Sequence, residues 1–234
     1  MRVSNTAMVR IGWWSVAALA VLVVTNPPSA ARAAAVNHPA AATYVSGSQA
    51  GEVVVSGTST LHNWTVKSSA IQGRLVLALP VQAGGPGTPG PRQTTKAVAA
   101  AAAIRAIQLR IPVATLKSSE GAGMDNTVYH ALNRRQYPVI SYRLIRATLS
   151  SAPSAQDPAY HFDTVGQLTV AGVTQRVTLE LNVLPEPSNQ LTVTTTAPLK
   201  MTQFGVKPPT AMFGLIRSGD AITVKATWLL AEAK

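Results

Sequence analysis

The chain of 234 residues is strongly basic, with 20 lysines and arginines against nine acidic residues, and it contains no cysteine. Without cysteine the protein has no disulfide, no thiolate metal ligand and no cysteine nucleophile. Apolar residues make up 47% of the chain and aromatic residues only 5%. A core of ordinary single-domain size must therefore rest mainly on Val, Leu and Ile, which favour strands.

The first 35 residues have the pattern of a secretory signal peptide. Arg2 and Arg10 lead an apolar run over residues 11–24, and small residues then offer cleavage sites after Ala33 or Ala35. An uncleaved anchor is the alternative, but the run is shorter than the ~20 residues that a span needs. We therefore expect a periplasmic or secreted protein. Removing the three leader arginines lowers its formal charge from +11 to +8.

The stretch that follows, residues 36–51, is polar and rich in alanine, which predicts a loose or edge segment before a domain over residues 52–234. Alternating apolar residues from Val53 onward predict two strands, with a break over residues 57–60 and an extended pattern over residues 61–79. Gly57 is expected to mark a bulge or a close approach of the backbone at this break.

A stretch rich in Gly, Pro and Ala, residues 81–103, predicts a loop insertion in this domain. Residues 85–90 match G-x-G-x-x-G, but Pro86 and Pro89 remove backbone donors and no strand-turn-helix pattern surrounds them. A flexible loop is therefore favoured over a phosphate site.

Residues 104–111 alternate as a strand, and residues 124–142 have the pattern of a helix that runs into a strand. Asp125 is the expected N-cap, and Val128, Ala131 and Leu132 follow at helical spacing. Pro138 pushes its predecessor out of the helical region, and a strand over residues 139–149 follows. A single short helix among strands can serve as a lid or plug.

Four further strands are predicted over residues 160–170, 174–184, 191–199 and 222–230. The first two are separated by Ala171, Gly172 and Val173, a spacing that suits a hairpin. Between the last two, residues 201–220 hold two phenylalanines and two methionines in a loop-like setting. Such apolar loop residues either cap one end of a barrel or line the mouth of a ligand cavity.

These elements predict an all-β domain of about eight antiparallel strands, each apolar on one face only, with one short α-helix. Eight strands can close into a barrel whose interior is packed or holds one small ligand, and closure removes exposed strand edges. A two-sheet sandwich is the alternative fold, and the periodicity does not distinguish the two.

Four blocks of the sequence, residues 57–73, 116–142, 166–183 and 201–230, resemble in that order the blocks of the YceI-like family. The second block holds the pattern M-D-x-x-x-Y-x-A-L-x-x-x-x-Y-P, and the fourth holds F-G-x-K-P-P-T. The resemblance covers nearly all of the chain from Glu52 onward. Its motifs carry no catalytic signature.

The resemblance implies a lipocalin-like antiparallel barrel, exported to the periplasm, that encloses a long apolar molecule such as a polyisoprenoid or a fatty amide. It implies no enzyme and no cofactor. The chain departs from the family pattern by the 81–103 insertion. It also carries His62 and Asn63 before Trp64, where relatives commonly have an acidic residue.

The residues themselves offer little for catalysis or metal binding. His38, His62, His130 and His161 show no metal-ligand spacing, and no G-x-S-x-G motif is present. We therefore predict no catalytic residue, no metal and no cofactor. His62 can orient a ligand headgroup, but a structural histidine is the favoured interpretation.

The basic side chains are spread along many strands without the interleaved aromatic residues of a nucleic-acid platform, so no nucleic-acid partner is expected. A solvated basic face is the favoured interpretation, and contact with an anionic membrane is the alternative. We expect a monomer or a homodimer.

The favoured function is the binding of a long apolar lipid inside the barrel, for transport or sequestration. The alternative is a packed barrel that acts as a protein- or membrane-surface-binding module. Strand parity and the matching blocks select the wall residues Trp64, Leu75, Leu77, Ile107, Leu109, Leu132, Ile140, Tyr142, Leu144, Leu179, Leu181, Val224 and Trp228. Flexible and aromatic side chains select the mouth residues Met124, Tyr129, Tyr137, Phe204, Met212 and Phe213. Ordinary core packing for the first set, and a plugged barrel end for the second, are equally open.

Overall fold

The computed structural model describes residues 40–79, 102–211, 213 and 215–233. The predicted signal peptide, most of the predicted 81–103 insertion and Met212 lie outside these residues. The described helix is α1 (Ala122–Ala131). The described strands are β1 (Ala41–Ser59), β2 (Asn63–Ser68), β3 (Gln72–Ala78), β4 (Ala103–Pro112), β5 (Lys117–Ser118), β6 (Val139–Ser151), β7 (Tyr160–Val170), β8 (Val173–Glu186), β9 (Gln190–Lys200), β10 (Thr210–Ala211) and β11 (Ile216–Glu232).

Eight of these strands close into an antiparallel barrel. The order around the wall is β1, β3, β4, β6, β7, β8, β9 and β11, and β11 then pairs with β1. The short strands β2, β5 and β10 extend the sheet at one end. The predicted closed barrel with one short helix is confirmed, and the sandwich alternative is not what the chain forms.

Alternation along the strands places one apolar face inside the barrel. In β9, for example, Leu191, Val193 and Ala197 are buried, whereas Thr196 and Pro198 are exposed. The predicted hairpin between β7 and β8 is also confirmed. Ala171 and Gly172 form its two-residue turn with φ values of 48° and 81°, as a type I′ connection requires.

The first half of β1 corrects our prediction for residues 36–51. Residues 41–50 are not a loose segment, because Tyr44 pairs with Leu75 of β3 on one side and with Glu232 of β11 on the other. This pairing closes the barrel. The stretch is poor in branched apolar residues, so local propensity did not reveal a strand that its two neighbours stabilise.

Gly57 lies inside β1, which continues to Ser59, so our predicted break begins too early. The register between β1 and β11 does shift between Gly57 and Ser59. A Cβ on Gly57 would lie 2.2 Å from Cζ2 of Trp64, its cross-strand neighbour. The predicted close approach is therefore present, and its partner is an indole ring. Residues 61–79 form two strands, β2 and β3.

The N-cap lies four residues earlier than predicted, at Gly121 rather than at Asp125. Gly121, with φ 89°, occupies the N-cap position without a side-chain hydrogen bond. Asp125 lies in the first turn of α1 and is buried. The predicted loop over residues 201–220 is shorter than expected, because a 3-10 helix (Met201–Phe204) and β10 occupy part of it and β11 begins at Ile216.

The two ends of the barrel differ. At the end that we call the closed end, Leu75, Leu77, Phe162, Val183 and Leu191 pack together and are fully buried. At the other end, which we call the helix end, α1 and the 3-10 helix pack against the strands around Trp64 and Val66. Among the described residues, no helix is long and apolar enough to span a membrane.

Candidate ligand cavity

A cavity of about 240 Å³ lies inside the barrel, between the packed closed end and the helix end. On β11 its lining runs from Ser218 to Trp228, which is ~33 Å of strand at ~3.3 Å per residue. At a typical barrel tilt of ~40° this corresponds to ~25 Å along the axis. This length is large for the volume, so the cavity is narrow and favours a thin, extended ligand over a compact one.

The lining is almost entirely apolar. No Asp, Glu, Lys, Arg or His is among the described residues that line it. The polar side chains that reach the lining are Thr195, Ser218, Tyr142, Trp64 and Trp228. Because an unpaired charge in such a space is strongly disfavoured, the cavity suits the uncharged part of a ligand.

The aromatic residues of the wall direct their polar atoms away from the cavity. Trp64 Nε1 donates to the Thr58 carbonyl at 3.0 Å, and Trp228 Nε1 donates to Ser46 Oγ at 2.8 Å. The Tyr142 hydroxyl lies 3.3 Å from Thr164 Oγ1, and its burial raises the pKa of the phenol. Because their polar atoms have partners elsewhere in the protein, the three aromatic side chains present only ring carbons to the cavity.

Helix α1 covers the helix end of the cavity with Met124, Val128, Ala131 and Leu132. Asp125 fixes its first turn, because its carboxylate accepts from Ser118 N at 2.6 Å and from Lys117 Nζ at 3.0 Å. The backbone N–H of Ser118, and then Lys117, hold the pKa of Asp125 below its ordinary value.

Tyr129 fixes the remainder of α1. Its hydroxyl lies 3.0 Å from the Ala114 carbonyl and 2.9 Å from the Leu116 carbonyl. The Arg134 guanidinium lies over the ring, 4.2 Å from its centroid, at a distance typical of a cation–π contact. Helix α1 is therefore held in place by polar contacts outside the cavity, and its apolar side chains face the cavity.

The barrel wall separates beside the cavity, between β8 and β9. These strands pair from Asn182 and Thr194 as far as Glu186 and Gln190, five residue pairs. The neighbouring ladder of β7 with β8 runs to the hairpin turn, with eleven pairs. Both strands are described throughout, so the first part of β8 has no ladder partner in β9.

The 3-10 helix and the residues after it fill this separation. Phe204 and Val206 are buried and line the cavity. On the β8 side, Gln175 Nε2 donates to the Gln203 carbonyl at 2.8 Å. On the β11 side, the Asp220 carboxylate accepts from the backbone and side chain of Thr202. Two polar contacts therefore hold an apolar plug over a gap in the wall.

Twelve of the residues selected from the sequence line this cavity: Trp64, Ile107, Leu109, Met124, Leu132, Ile140, Tyr142, Leu179, Leu181, Phe204, Val224 and Trp228. They include both wall and mouth residues, and they come from seven of the ten helices and strands that contribute to the lining. Strand parity and the matching blocks therefore found much of the wall.

The other selected residues lie elsewhere. Leu75 and Leu77 point inward but belong to the packed closed end, and Leu144 packs against the core without lining the cavity. Tyr129 is buried but does not line the cavity, and its hydroxyl lies 2.9 Å from the Leu116 carbonyl. The ring of Tyr137 lies over Gly172 at the hairpin turn. Phe213 is fully exposed, and Met212 lies outside the described residues.

The sequence selection missed lining residues on β1, β2 and β9, among them Val53, Val55, Val66, Val193 and Ala197. A signal for those on β9 was available, because Leu191, Val193, Thr195, Ala197 and Leu199 recur at every second position. The remaining polar candidate, His62, is exposed at the helix end. Its Nδ1 lies 2.9 Å from the Asn63 carbonyl and 3.4 Å from Glu120 Oε1.

Comparison with known protein families shows which family this chain belongs to. A family model described as YceI-like domain matches residues 64–228. The chain belongs to the YceI-like family. The match contains the resembling blocks from Trp64 to Trp228 and thus confirms the resemblance seen in the sequence. No curated protein matches this YceI-like chain.

Solved structures similar to this YceI-like chain share little sequence with it. A polyisoprenoid binding domain from Saccharophagus degradans, implicated in plant cell wall breakdown, is 11% identical, with a TM-score of 0.53. The alignment covers 83% of this chain and all of that domain. BcnA of Burkholderia cenocepacia is 16% identical with a TM-score of 0.48, covering 76% of this chain and 96% of its own. The first of these supports the barrel fold.

The arrangement is suited to binding an apolar molecule. Among the described residues, no group of three or more His, Asp or Glu side chains could hold a metal ion. The wall supplies apolar contacts, and its polar atoms mostly have partners within the protein. This YceI-like barrel can therefore hold a lipid-like molecule by apolar contact alone.

Proposed function

We propose that the protein is an exported lipid-binding protein that encloses one long apolar molecule, of polyisoprenoid or fatty-acyl type, for transport or sequestration. The observation that carries this proposal is the long, narrow cavity with an uncharged lining. The leader-like residues 1–35 support export, and the polyisoprenoid binding domain with a similar fold supports the ligand class.

Apolar transfer alone is sufficient for useful affinity. Each methylene moved from water into the cavity contributes about 0.8 kcal/mol, so ten methylenes contribute roughly 8 kcal/mol before the costs of binding. A dissociation constant of 1 μM corresponds to about 8.2 kcal/mol. Loss of translational and side-chain freedom reduces the net value, so micromolar affinity needs more buried apolar surface than ten methylenes supply.

The proposed ligand is bound without cofactor or covalent chemistry, and the protein is not an enzyme. A charged headgroup does not fit beside the apolar lining, because an uncompensated charge there is disfavoured by several kcal/mol. The ligand is therefore neutral along the enclosed part, and any charged group lies at the helix end, where Lys200 and Lys207 are exposed.

The first test is native mass spectrometry of the protein purified from its own host envelope, followed by organic extraction. A discrete added mass that extracts as a long apolar molecule supports the proposal and identifies the ligand class. A bare protein mass, unchanged after incubation with polyprenyl and fatty-acyl lipids, contradicts it and favours a packed barrel that binds a protein or a surface.

The second test fills the cavity by substitution. Ala226 lines the cavity opposite Val53 on β1, whereas its neighbour Thr227 is exposed on the outer face. We expect Ala226→Phe to reduce capture of the linear polyene methyl parinarate at least about tenfold, and Thr227→Phe to leave it unchanged. Equal capture by both variants would place the bound polyene outside the barrel.

A further inference from the structure

The most exposed large apolar side chains of the described chain lie at the helix end. The exposed fractions are 66% for Leu61, 110% for Phe213 and 78% for Leu215. Leu61 lies in the turn between β1 and β2, and Phe213 and Leu215 lie in the turn between β10 and β11. Exposed apolar groups that cluster in this way mark interaction sites rather than ordinary surface.

Hydrogen bonds join these two turns into one surface. Thr60 N donates to the Arg217 carbonyl at 3.0 Å, and Arg217 N donates to Thr60 Oγ1 at 3.2 Å. The same hydroxyl donates to the Leu215 carbonyl at 3.1 Å. We call Leu61, Phe213 and Leu215 the apolar tip.

The apolar tip lies directly beyond the cavity. Pro209 and Ser218 line the cavity and are joined by a hydrogen bond of 3.0 Å from Ser218 N to the Pro209 carbonyl. Leu215 is three residues before Ser218, which is ~10 Å along an extended strand. A molecule that leaves the cavity at this end therefore emerges beside the tip.

Among the described residues, basic side chains collect at the helix end of the barrel. Eight lie at or near that end: Arg110, Lys117, Arg134, Arg135, Arg176, Lys200, Lys207 and Arg217. Three acidic residues share it, Glu120, Asp125 and Asp220, and Asp125 is paired with Lys117. Eight basic against three acidic residues give the described helix end a net charge of +5, which attracts it to a negatively charged surface.

We propose that the apolar tip docks the barrel, helix end first, on a lipid bilayer that carries anionic headgroups. This inference rests on the proposed function. Docking in this orientation makes the cavity face the acyl layer of the bilayer, so that a lipid can pass between the bilayer and the cavity. Two protruding turns with aromatic and aliphatic ends suit insertion at the headgroup boundary. Each nearby Lys or Arg adds electrostatic attraction to anionic lipid.

The test uses the chain from residue 36, because residues 11–24 would themselves bind lipid and every barrel strand lies after Ala40. Sedimentation is measured with vesicles of phosphatidylglycerol and phosphatidylcholine, and with phosphatidylcholine alone. We expect the triple variant Leu61→Ser, Phe213→Ser, Leu215→Ser to lose at least about tenfold in partitioning onto the anionic vesicles. The matched control is Ile145→Ser, which removes a 48% exposed apolar side chain from the barrel wall and should change nothing.

A reporter variant locates the contact. In the chain from residue 36 the only tryptophans are the buried Trp64 and Trp228, so Phe213→Trp adds one exposed fluorophore. We expect its emission to shift to the blue with anionic vesicles and to be quenched by brominated lipid. An unchanged emission, or equal partitioning of the triple variant and the unaltered protein, overturns the proposal. Concentration-dependent association that the triple variant abolishes, without vesicle binding, would instead assign the tip to a second copy of the chain.

Capture of methyl parinarate from solution separates this inference from the proposed function. The triple variant should bind the polyene as the unaltered protein does, because no tip residue lines the cavity. Loss of vesicle binding with retained capture supports both proposals. Vesicle binding without capture by any form of the protein contradicts the carrier function and leaves the docking result standing on its own.

Discussion

Thr202 and Asp220 are joined by two hydrogen bonds, from Thr202 N to Oδ1 at 2.8 Å and from Thr202 Oγ1 to Oδ2 at 2.7 Å. They connect the 3-10 helix, which carries the buried Phe204, to the first residues of β11. The 3-10 helix also closes the separation between β8 and β9. The pair therefore controls how firmly the plug is held over the cavity.

Asp220→Ala removes both acceptors and should loosen the plug. We expect methyl parinarate to leave this variant several-fold faster than the unaltered protein, measured by stopped-flow dilution at pH 6. Because Asp220 is only half-buried and both hydrogen bonds are exposed to solvent, the overall stability should change little. The control is Asp157→Ala, which removes an exposed carboxylate from the loop at the closed end and should leave the release rate unchanged.

The same pair predicts a pH dependence. The Thr202 hydroxyl and backbone N–H hold the pKa of Asp220 below its ordinary value of 3.8. A lowered pKa in the folded state means that the stabilisation is present above pH 3.8 and is lost as the pH falls through the folded value. Release of the neutral methyl parinarate should therefore accelerate below about pH 3.8 in the unaltered protein and less so in Asp220→Ala. Parallel acceleration in both would assign the effect to another carboxylate.

Replacement by valine should have opposite effects on stability at two threonines of the barrel wall. Thr195 Oγ1 is buried and has no hydrogen-bond partner among the described residues, whereas Thr164 Oγ1 donates to the Leu179 carbonyl at 2.9 Å and lies beside the Tyr142 hydroxyl. We expect Thr195→Val to be neutral or stabilising by up to ~1 kcal/mol, and Thr164→Val to cost ~1–3 kcal/mol. Urea unfolding with a common m-value measures both. Equal losses would show that Thr195 has a partner in solution.

The fold was predictable because alternation is local, and the inner face of β9 can be identified from every second residue. The depth of a residue along the barrel axis is not local. Leu75 and Ile107 are cross-strand neighbours and both point inward, yet only Ile107 lines the cavity. The sequence cannot distinguish them, because the boundary between packed end and cavity depends on how all eight strands are staggered.

Contacts between residues far apart in the sequence explain the structural features that the sequence did not predict. The first half of β1 has a weak strand pattern, and β3 and β11 provide the pairing that makes it a strand. Asp125 is a residue type that often caps helices, but here its carboxylate accepts hydrogen bonds from the N–H of Ser118 and the ammonium of Lys117 instead. The gap between β8 and β9 likewise follows from the 3-10 helix that occupies it, which no periodicity reveals.

Glycines beneath aromatic rings shape the cavity wall. A Cβ on Gly166 would lie 2.3 Å from Cζ of Tyr142, whereas a Cβ on Gly47 meets nothing within 4 Å. Gly166→Ala should displace the ring and cost ~1–3 kcal/mol, and Gly47→Ala should be neutral or slightly stabilising. Thermal and urea unfolding compare the two. A neutral Gly166→Ala would mean that the ring moves freely, and the wall at this point would then be softer than the packing indicates.

A charge placed in the cavity tests which face of β8 is the binding face. Leu179 lines the cavity, and the preceding residue, Thr178, is exposed on the outer surface. We expect Leu179→Arg to abolish capture of methyl parinarate or to prevent folding, because a guanidinium there has no carboxylate partner among the described lining residues. Thr178→Arg should fold and capture the polyene normally. Circular dichroism separates misfolding from lost binding, and full capture by a folded Leu179→Arg would show that the ligand does not pass this part of the wall.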